Sequence, residues 1–285
     1  MVETAKVVLI TGANSGIGKQ TVIGLARLNM RVVMVVRNME RGERAKSEVT
    51  EKTGNKFVDL RCCDLSSMSM IGKFSKEFSH DYPRLDVLIN NAGAVFNKRS
   101  ITPESNERTL AVDYLGPFLL THELLPVLKR GTPARIINIS SGLHKNAILN
   151  MEDLHSEKSY NGMKVYSHAK LMLMMFTYEL ARRLKGTGVT ANAALPGFVA
   201  TNLGTNSDSL LSNIMFKMVR PMQTSAEKGA ATSIYLASSS DVEGKTGLCY
   251  ERGREVNSSP QSYDLENQTK LWIKTNNLLG LNPEW

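Results

Sequence analysis

A glycine-rich segment near the start of the chain has the spacing of a phosphate-binding turn. Thr11–Gly18 reads TGANSGIG and lies between a short apolar run and a helical pattern. Gly12, Gly16 and Gly18 would let the backbone turn tightly and approach a pyrophosphate, while the helix N-terminus would offer unpaired N–H groups to it. The sequence therefore predicts a dinucleotide-binding turn, and the alternative is a glycine-rich turn without a ligand. The predicted contacts within it are Gly12, Asn14, Ser15, Gly16, Ile17 and Gly18.

An arginine stands where an acidic residue would hold the ribose of NAD. Arg37 ends the second apolar run, about 20 residues beyond the last glycine of the turn. A guanidinium suits a 2′-phosphate, so NADP is favoured over NAD, with the adjacent Asn38 as a further contact. The alternative is a solvated arginine at a strand end. Asp64 and Leu65 follow the third run and are expected beside the adenine, although Asp64 could instead cap a helix.

These residues must be positioned by an alternation of strands and helices. Strands are predicted at residues 7–10, 32–36, 57–61, 87–89, 136–139, 189–194 and 247–250. Helices are predicted at residues 16–28, 40–52, 67–79, 104–128, 167–184 and 225–237. This alternation predicts an α/β fold, a doubly wound parallel sheet of about seven strands with helices on both faces. Because no linker divides the chain, we expect a single Rossmann-type domain over residues 1–285.

Two long connections interrupt this rhythm. Residues 142–165 and 198–224 follow the fifth and sixth strands, at the sheet edge where ligands bind in such folds. Many of their side chains are Leu, Ile or Met, which favours a lipophilic aldehyde, ketone or alcohol as substrate. The alternative is that they form ordinary core under a lid helix. A C-terminal docking helix is expected at residues 264–279, ended by Gly280.

The composition excludes several classes of protein. With 285 residues, 42% apolar and 22% charged, the chain is neither disordered, collagen-like nor a disulfide scaffold. Cys62, Cys63 and Cys249 cannot all pair, which favours a reducing, cytoplasmic setting. No apolar run is long enough for a signal peptide or a membrane span. The net charge of +8 favours anionic partners. Lys and Arg are scattered along the chain, which argues against nucleic acid as the partner.

Several short motifs follow one another in order along the chain. After TGANSGIG come Asp64–Leu65, NNAG at Asn90–Gly93, Ser140–Ser141, YSHAK at Tyr166–Lys170 and PGFVAT at Pro196–Thr201. This ordered set resembles the short-chain dehydrogenase/reductase family from residue 6 to about residue 250. The segments RNMERGE at Arg37–Glu43 and KLWIKTNNLLG at Lys270–Gly280 are similar to its retinol dehydrogenase and WW-domain oxidoreductase branch.

The resemblance implies a catalytic set. Tyr166 would be the general acid/base that exchanges a proton with the alcohol or carbonyl oxygen. Lys170 would lie on the same helix face, lower the pKa of Tyr166 and hold the nicotinamide ribose. An ordinary tyrosine, with a pKa near 10, is a poor base at neutral pH, so this chemistry requires a nearby cation. Ser141 would bind the substrate oxygen, whereas Ser140 would face the other way.

The resemblance assigns the remaining motifs to the cofactor. In NNAG, the residues Asn90, Asn91, Ala92 and Gly93 would lie near the adenosine ribose, and Asn90 could also tie neighbouring strands. After the sixth strand, Pro196, Gly197, Val199 and Thr201 would hold the nicotinamide carboxamide. Val112 would pack beside the nicotinamide. No metal is expected, because His144, His155 and His168 lack metal-ligand spacing with cysteine or carboxylate partners.

One position departs from the family pattern. The family carries an asparagine that completes a proton relay through a water, and this chain has Asp113 there, within LAVDYLGPF. An aspartate could pair with Lys170 or hold the same water, so we expect a working enzyme with slowed turnover. The alternative is a catalytically slow, NADP(H)-binding regulatory or scaffold protein. The resemblance also implies a homodimer with its seam at residues 104–128 and 167–184.

Overall fold

The first, fourth and fifth strands along the chain, which lie inside the central sheet, are apolar runs buried on both faces. In the computed structural model, which describes residues 5–197 and 225–285, the strands are Val7–Thr11 (β1), Arg31–Val36 (β2), Val58–Cys62 (β3), Val87–Asn90 (β4), Ala134–Ile139 (β5), Val189–Leu195 (β6), Cys249–Glu251 (β7) and Arg254–Glu255 (β8). Every residue of β1, β4 and β5 is buried. Continuous burial is typical of a parallel sheet covered by helices on both sides.

The strand order is β3-β2-β1-β4-β5-β6-β7-β8. All pairs are parallel except β7 with β8, which is antiparallel. The order reverses between β1 and β4, so the connections leave these two strands in opposite directions and open a crevice at their carboxyl ends. The predicted doubly wound α/β fold is confirmed, with the short β8 as an additional edge strand.

Helices cover both faces of this sheet. They are Gly16–Arg27 (α1), Met39–Thr53 (α2), Met68–Asp81 (α3), Arg108–Leu110 (α4), Gly116–Arg130 (α5), Gly162–Arg183 (α6), Ala226–Ser238 (α7) and Leu265–Leu279 (α8). Side-chain caps fix most of their starts, since Asn38, Ser67, Asn161, Ser225 and Asp264 each accept a backbone N–H from the first turn. Helices α1, α2 and α7 pack on one side of the sheet, and α3, α5, α6 and α8 on the other.

Helix α6 is buried around its whole circumference. Every residue from Val165 to Ala181 is buried, which requires a cover on both sides of the helix. The sheet covers its inner face, and α8 covers its outer face through the fully buried Trp272. The part of α6 that the resemblance assigned to a dimer seam is therefore covered within one chain.

The structure moves two predicted boundaries near the cleft. The helix predicted from residue 104 begins at Arg108, and it contains one π-helical turn, Ala111–Leu115, between α4 and α5. The helix predicted from residue 167 begins at Gly162, because the Asn161 carboxamide caps it. The last residues of the predicted connection 142–165 therefore belong to α6. Within the described ranges, none of the helices is both long and apolar enough to cross a membrane.

Candidate active site

The glycine turn between β1 and α1 depends on the absence of side chains. Gly12 has a φ of 64°, and a Cβ there would lie 2.9 Å from the Cα of Ala92. A Cβ on Gly18 would lie 2.3 Å from the carbonyl oxygen of Gly12, so any larger residue would push the turn off the helix. The turn therefore brings main chain, rather than side chains, to the mouth of the crevice.

The start of α1 lacks the side-chain cap that α2, α3, α6, α7 and α8 carry. Ser15 stands at the N-cap position, but its side chain makes no hydrogen bond to the first turn. The first turn also contains no acidic residue. Unpaired N–H groups and the positive end of the helix dipole thus face the crevice, which is the environment that a phosphate group requires.

The NNAG segment braces this turn. The amide of Asn91 donates to the carbonyl oxygens of Thr11 at 2.8 Å and of Gly12 at 3.3 Å. The hydroxyl of Thr11 accepts the backbone N–H groups of Asn91 and Ala92. Asn90 instead is buried and donates to Asn138 on β5, at 2.8 Å, so it ties neighbouring strands together.

One cavity of about 670 Å³ brings most of the predicted residues together. It opens at the carboxyl ends of β1 and β4 and runs along the glycine turn to α6. Its walls include Gly12, Asn14, Ser15, Gly16, Ile17, Gly18, Arg37, Asn38, Asp64, Leu65, Asn91, Ala92, Gly93, Val112, Tyr166, Lys170 and Pro196. Gly197 follows directly, with a φ of 73°. The predicted contacts Val199 and Thr201, like the connection 198–224, lie outside the described residues.

Two predicted contacts also have structural roles. The side chain of Asn38 caps α2 by accepting the N–H of Arg41 at 2.9 Å. Asp64 accepts the N–H and the hydroxyl of Ser66, so it forms the turn before α3, while Ser67 is the N-cap. Contrary to the alternative interpretation, Asp64 therefore does not cap α3. It stabilises the turn three residues before the N-cap.

The side chains of Tyr166 and Lys170 lie one turn apart on α6. The ammonium of Lys170 is 5.5 Å from the ring centroid of Tyr166 and donates to the carbonyl oxygen of Ile139 at 3.2 Å. The hydroxyl of Ser141 lies near enough to the phenol of Tyr166 to lower its pKa. Ser140 lines the cavity, whereas Ser141 is not among its lining residues. The hydroxyl of Ser140 is buried and donates to the carbonyl oxygen of Lys170, so the two serines face different ways as expected.

Asp113 reaches this group from the π-helical turn. Its carboxylate is fully buried, lies 3.1 Å from the ammonium of Lys170, and accepts the N–H of Ala94 at 3.2 Å. A π-helical turn adds a residue to the helix, and such turns are frequent at functional sites. Of the two arrangements considered for Asp113, the structure therefore has the ion pair with Lys170.

Comparison with known proteins agrees with this geometry. Residues 6–210 match the family model described as short chain dehydrogenase. The chain belongs to the short-chain dehydrogenase family. It is 41% identical to mouse retinol dehydrogenase 14, over 97% of this chain and 86% of that protein. It is 39% identical to bovine retinol dehydrogenase 12, over 98% of this chain and 88% of that protein.

A solved structure extends the comparison to the fold. The crystal structure of an uncharacterized protein from Mycobacterium paratuberculosis matches with a TM-score of 0.79 and 31% identity, over 97% of this chain and 94% of that one. This short-chain dehydrogenase is therefore an oxidoreductase of the retinol dehydrogenase-like branch, as the motifs predicted.

Burial controls the proton affinities in the dehydrogenase's cleft. Burial raises the pKa of the Tyr166 phenol above its usual range, although the Lys170 ammonium and the Ser141 hydroxyl act in the opposite direction. Burial also raises the pKa of Asp113 to about 6 against the pull of Lys170. For Lys170, burial disfavours the ammonium, but the Asp113 carboxylate outweighs it and raises the pKa. The ammonium of Lys170 is thus held in its charged form beside Tyr166.

Sequence reasoning missed the part of the cavity wall formed by α2. Arg41 and Arg44 line it beside Arg37. Arg44 is paired with Glu40 at 2.5 Å, whereas Arg41 has no salt-bridge partner among the described residues. Helical spacing could have identified Arg41, because it lies one turn along the helix that starts directly after Asn38. Three guanidinium groups therefore line the wall where one was predicted, and two of them, those of Arg37 and Arg41, have no salt-bridge partner among the described residues.

Proposed function

We propose that the protein is an NADP(H)-dependent oxidoreductase that transfers a hydride between nicotinamide and a lipophilic alcohol, aldehyde or ketone. The observation that carries the proposal is the single cavity that joins the glycine turn and Arg37 to Tyr166 and Lys170. The names of its relatives, retinol dehydrogenases 14 and 12, support a lipophilic alcohol or aldehyde as the substrate class. When bound, the nicotinamide would donate or accept the hydride.

The residues along the cavity fit a dinucleotide phosphate. The uncapped start of α1 and the side-chain-free turn at Gly12 and Gly18 suit the pyrophosphate. Arg37 and Arg41 would meet the 2′-phosphate, since a guanidinium binds phosphate through paired N–H groups. No acidic residue stands at the Arg37 position to hold a ribose 2′-hydroxyl, so NADP(H) is preferred over NAD(H).

Tyr166 would handle the proton. Because burial raises the pKa of Tyr166, its phenol is protonated at neutral pH and can donate to the oxygen of a carbonyl. The hydroxyl of Ser141 would donate a second hydrogen bond to the same oxygen. The ammonium of Lys170 favours the phenolate that this transfer leaves behind, and in alcohol oxidation it would assist the reverse step.

The connection after β5 supports a lipophilic substrate. Ile148 within this connection and Met163 at the start of α6 are exposed, at 80% and 43%. The connection follows β5 at the carboxyl edge of the sheet, where ligands bind in such folds. Apolar side chains there would favour an apolar ligand, and the unbranched methionine adapts its shape to several of them.

The second candidate is a slow cofactor-binding regulator, whose support was the presence of Asp113. The ion pair of Asp113 with Lys170 keeps the lysine charged and beside Tyr166. The catalytic groups required for proton transfer are therefore close together, which favours turnover over a purely regulatory role.

Enzyme assays with NADPH would test the proposal. Loss of NADPH absorbance is followed with long-chain, aromatic and polyene aldehydes and with ketones, for the wild type and for Tyr166→Phe. We expect turnover by the wild type and a loss of at least about 100-fold in Tyr166→Phe, since general acid catalysis is removed. NADPH binding, measured by fluorescence, should be retained in the variant. Tight NADPH binding by a wild type without turnover would favour the regulator instead.

A further inference from the structure

His144 links the connection after β5 to the C-terminal part of the chain. Its side chain is completely buried. The Nδ1 atom lies 2.6 Å from the carbonyl oxygen of Ser141. The Nε2 atom lies 3.1 Å from the backbone nitrogen of Ser259, which is 115 residues away in the sequence. Both ring nitrogens are therefore engaged with main chain.

These two partners determine which nitrogen carries the proton. A backbone N–H can only donate, so Nε2 must accept from Ser259. A carbonyl oxygen can only accept, so Nδ1 must carry the hydrogen and donate to Ser141. Burial lowers the pKa of His144, which keeps this neutral form in place at neutral pH.

The Ser141 end of this link holds the main chain of the serine. The carbonyl oxygen of Ser141 accepts both the backbone N–H of His144, at 3.0 Å, and its Nδ1–H. The hydroxyl oxygen of Ser141 also accepts the N–H of Leu143 at 3.3 Å. Because the main chain and one lone pair of the hydroxyl are held, its hydrogen remains available to a group in the cleft.

The Ser259 end of the link is itself rigid. The carbonyl oxygen of Ser259 accepts the N–H and the hydroxyl of Ser262, at 3.0 and 2.6 Å. The neighbouring Ser258 accepts the phenol of Tyr178, on α6, at 2.7 Å. The imidazole thus connects Ser141 to a hydrogen-bonded turn that is tied to the helix carrying Tyr166.

We propose that His144 is a positioning residue for Ser141. Its Nδ1–H holds the main chain of the serine, and with it the hydroxyl beside Tyr166, while the N–H of Ser259 fixes the imidazole. The inference rests on the proposed function, in which Ser141 binds the substrate oxygen. Neither Ser141 nor Ser259 is among the residues that line the cavity where the cofactor would bind, so we expect the effect to fall on the reacting oxygen and not on cofactor affinity.

Three substitutions separate the two ends of the link. His144→Asn places an amide N–H near the position of Nδ1 and keeps the donor to Ser141. His144→Gln places an amide oxygen near Nε2 and keeps only the acceptor for Ser259, whereas His144→Phe keeps neither. We expect kcat to fall about 10- to 100-fold in the Gln and Phe variants, and much less in the Asn variant, because small misplacements of a catalytic group are costly.

The matched readouts separate positioning from simple destabilisation. The dissociation constant of NADPH should be unchanged in all three variants, so that the loss lies in kcat. His122→Phe is the control, since it replaces a half-buried histidine on α5 that does not line the cavity. An equal loss of kcat in the Asn and Gln variants, or no loss in either, would overturn the proposal.

Hydrogen exchange of the backbone amides, measured by mass spectrometry, tests the role of His144 without relying on enzyme turnover. In His144→Gln the amides of residues 140–146 should exchange faster than in the wild type, and those of residues 256–262 should not. His144→Asn should show the reverse. If the wild type turns over no carbonyl compound while Tyr166→Phe binds NADPH equally well, the proposed function fails. The exchange rates then test by themselves whether His144 positions Ser141. Unchanged exchange at both ends would contradict it.

Discussion

The ammonium of Lys170 lies 3.1 Å from the carboxylate of Asp113, and both side chains are almost completely buried. Two buried charges are stable only when they are paired, since removing either one leaves the other without a partner. This pair lies directly behind Tyr166, and its carboxylate raises the pKa of the phenol while its ammonium lowers it. Burial raises the pKa of the proposed catalytic tyrosine, and the balance within the pair adjusts it.

Asp113→Asn should change the pH dependence of alcohol oxidation. Asparagine carries no charge, so the pKa of Lys170 should fall because its partner is lost. While Lys170 remains charged, the pKa of Tyr166 should fall too, and oxidation at neutral pH should become faster. The pKa of Asp113 is raised to about 6 by burial, so below that pH the wild-type carboxyl is itself protonated and neutral. The rate profiles of the two proteins should therefore converge below about pH 6 and separate above it.

The measurement is kcat for a retinol-like or aliphatic alcohol from pH 5 to 9. Asp241→Asn, in an exposed turn, is the control for loss of a negative charge. Profiles that run parallel over the whole range would show that Asp113 does not tune Tyr166.

Gly93→Ala should disable the site without unfolding the protein. A Cβ at this position would lie 2.7 Å from a carboxylate oxygen of Asp113 and 3.1 Å from the ammonium of Lys170. The pair must therefore move, and we expect kcat to fall by about 100-fold, as for other misplaced catalytic groups. Steady-state kinetics and circular dichroism would be compared for the two proteins.

Gly72→Ala is the matched control for that substitution. Gly72 lies within α3, and nothing lies within 4 Å of a Cβ built on it. Alanine should stabilise the helix by about 0.5–1 kcal/mol and leave kcat unchanged. Wild-type kinetics in Gly93→Ala would mean that the spacing behind Tyr166 has no catalytic importance.

The arginines at the cavity mouth should decide between the two nicotinamide cofactors. Replacing Arg37 by Gln removes a charge-assisted contact to the 2′-phosphate, which we expect to weaken NADPH binding about 10- to 100-fold. Arg41→Gln should have a similar but smaller effect. Binding of NADH, which lacks this phosphate, should hardly change in either variant. The dissociation constants would be measured by titration calorimetry.

Arg254→Gln tests whether net charge alone explains such a loss. Arg254 is an exposed residue of the edge strand β8 and lies outside the cavity. It should bind both cofactors as the wild type does. Equal losses for NADPH and NADH in Arg37→Gln would contradict a role in selecting the phosphate.

Residues whose role depends on local spacing could be predicted from the sequence. The apolar runs predicted the strands. The glycines of the first turn predicted the position of the crevice, because a tight turn that approaches other main chain closely allows few other residues. The resemblance to the family identified Tyr166 and Lys170, and their four-residue spacing predicted that the two side chains share one face of a helix. Arg41 was not predicted, although it lies in the first turn of α2. The predicted start of that helix was one residue too late.

Contacts between distant segments could not be predicted in this way. The choice between an ion pair and a water-holding role for Asp113 depends on the π-helical turn. The sequence pattern does not distinguish this turn from a continuous α-helix. The link from His144 to Ser259 joins segments 115 residues apart, and no local pattern reports it. The eighth strand is only two residues long, which is too short for an alternating pattern to show.

The last prediction concerns the cover that α8 provides for α6. The ring of Trp272 is buried between α5 and α6, with centroids 5.1 Å from Phe118 and 6.1 Å from Phe176, and the guanidinium of Arg183 lies over it. Trp272→Ala should therefore lower the free energy of unfolding by about 3–5 kcal/mol. Urea denaturation followed by circular dichroism would measure the change.

Ile273→Ala is its control, because the neighbouring side chain is 43% exposed and points away from this core. Its effect on the free energy of unfolding should stay within about 0.5 kcal/mol. Removing Trp272 also uncovers an apolar face of α6, which should promote self-association that light scattering detects as a rise in mass. If both variants lose the same stability and neither self-associates, α8 does not cover α6 in solution.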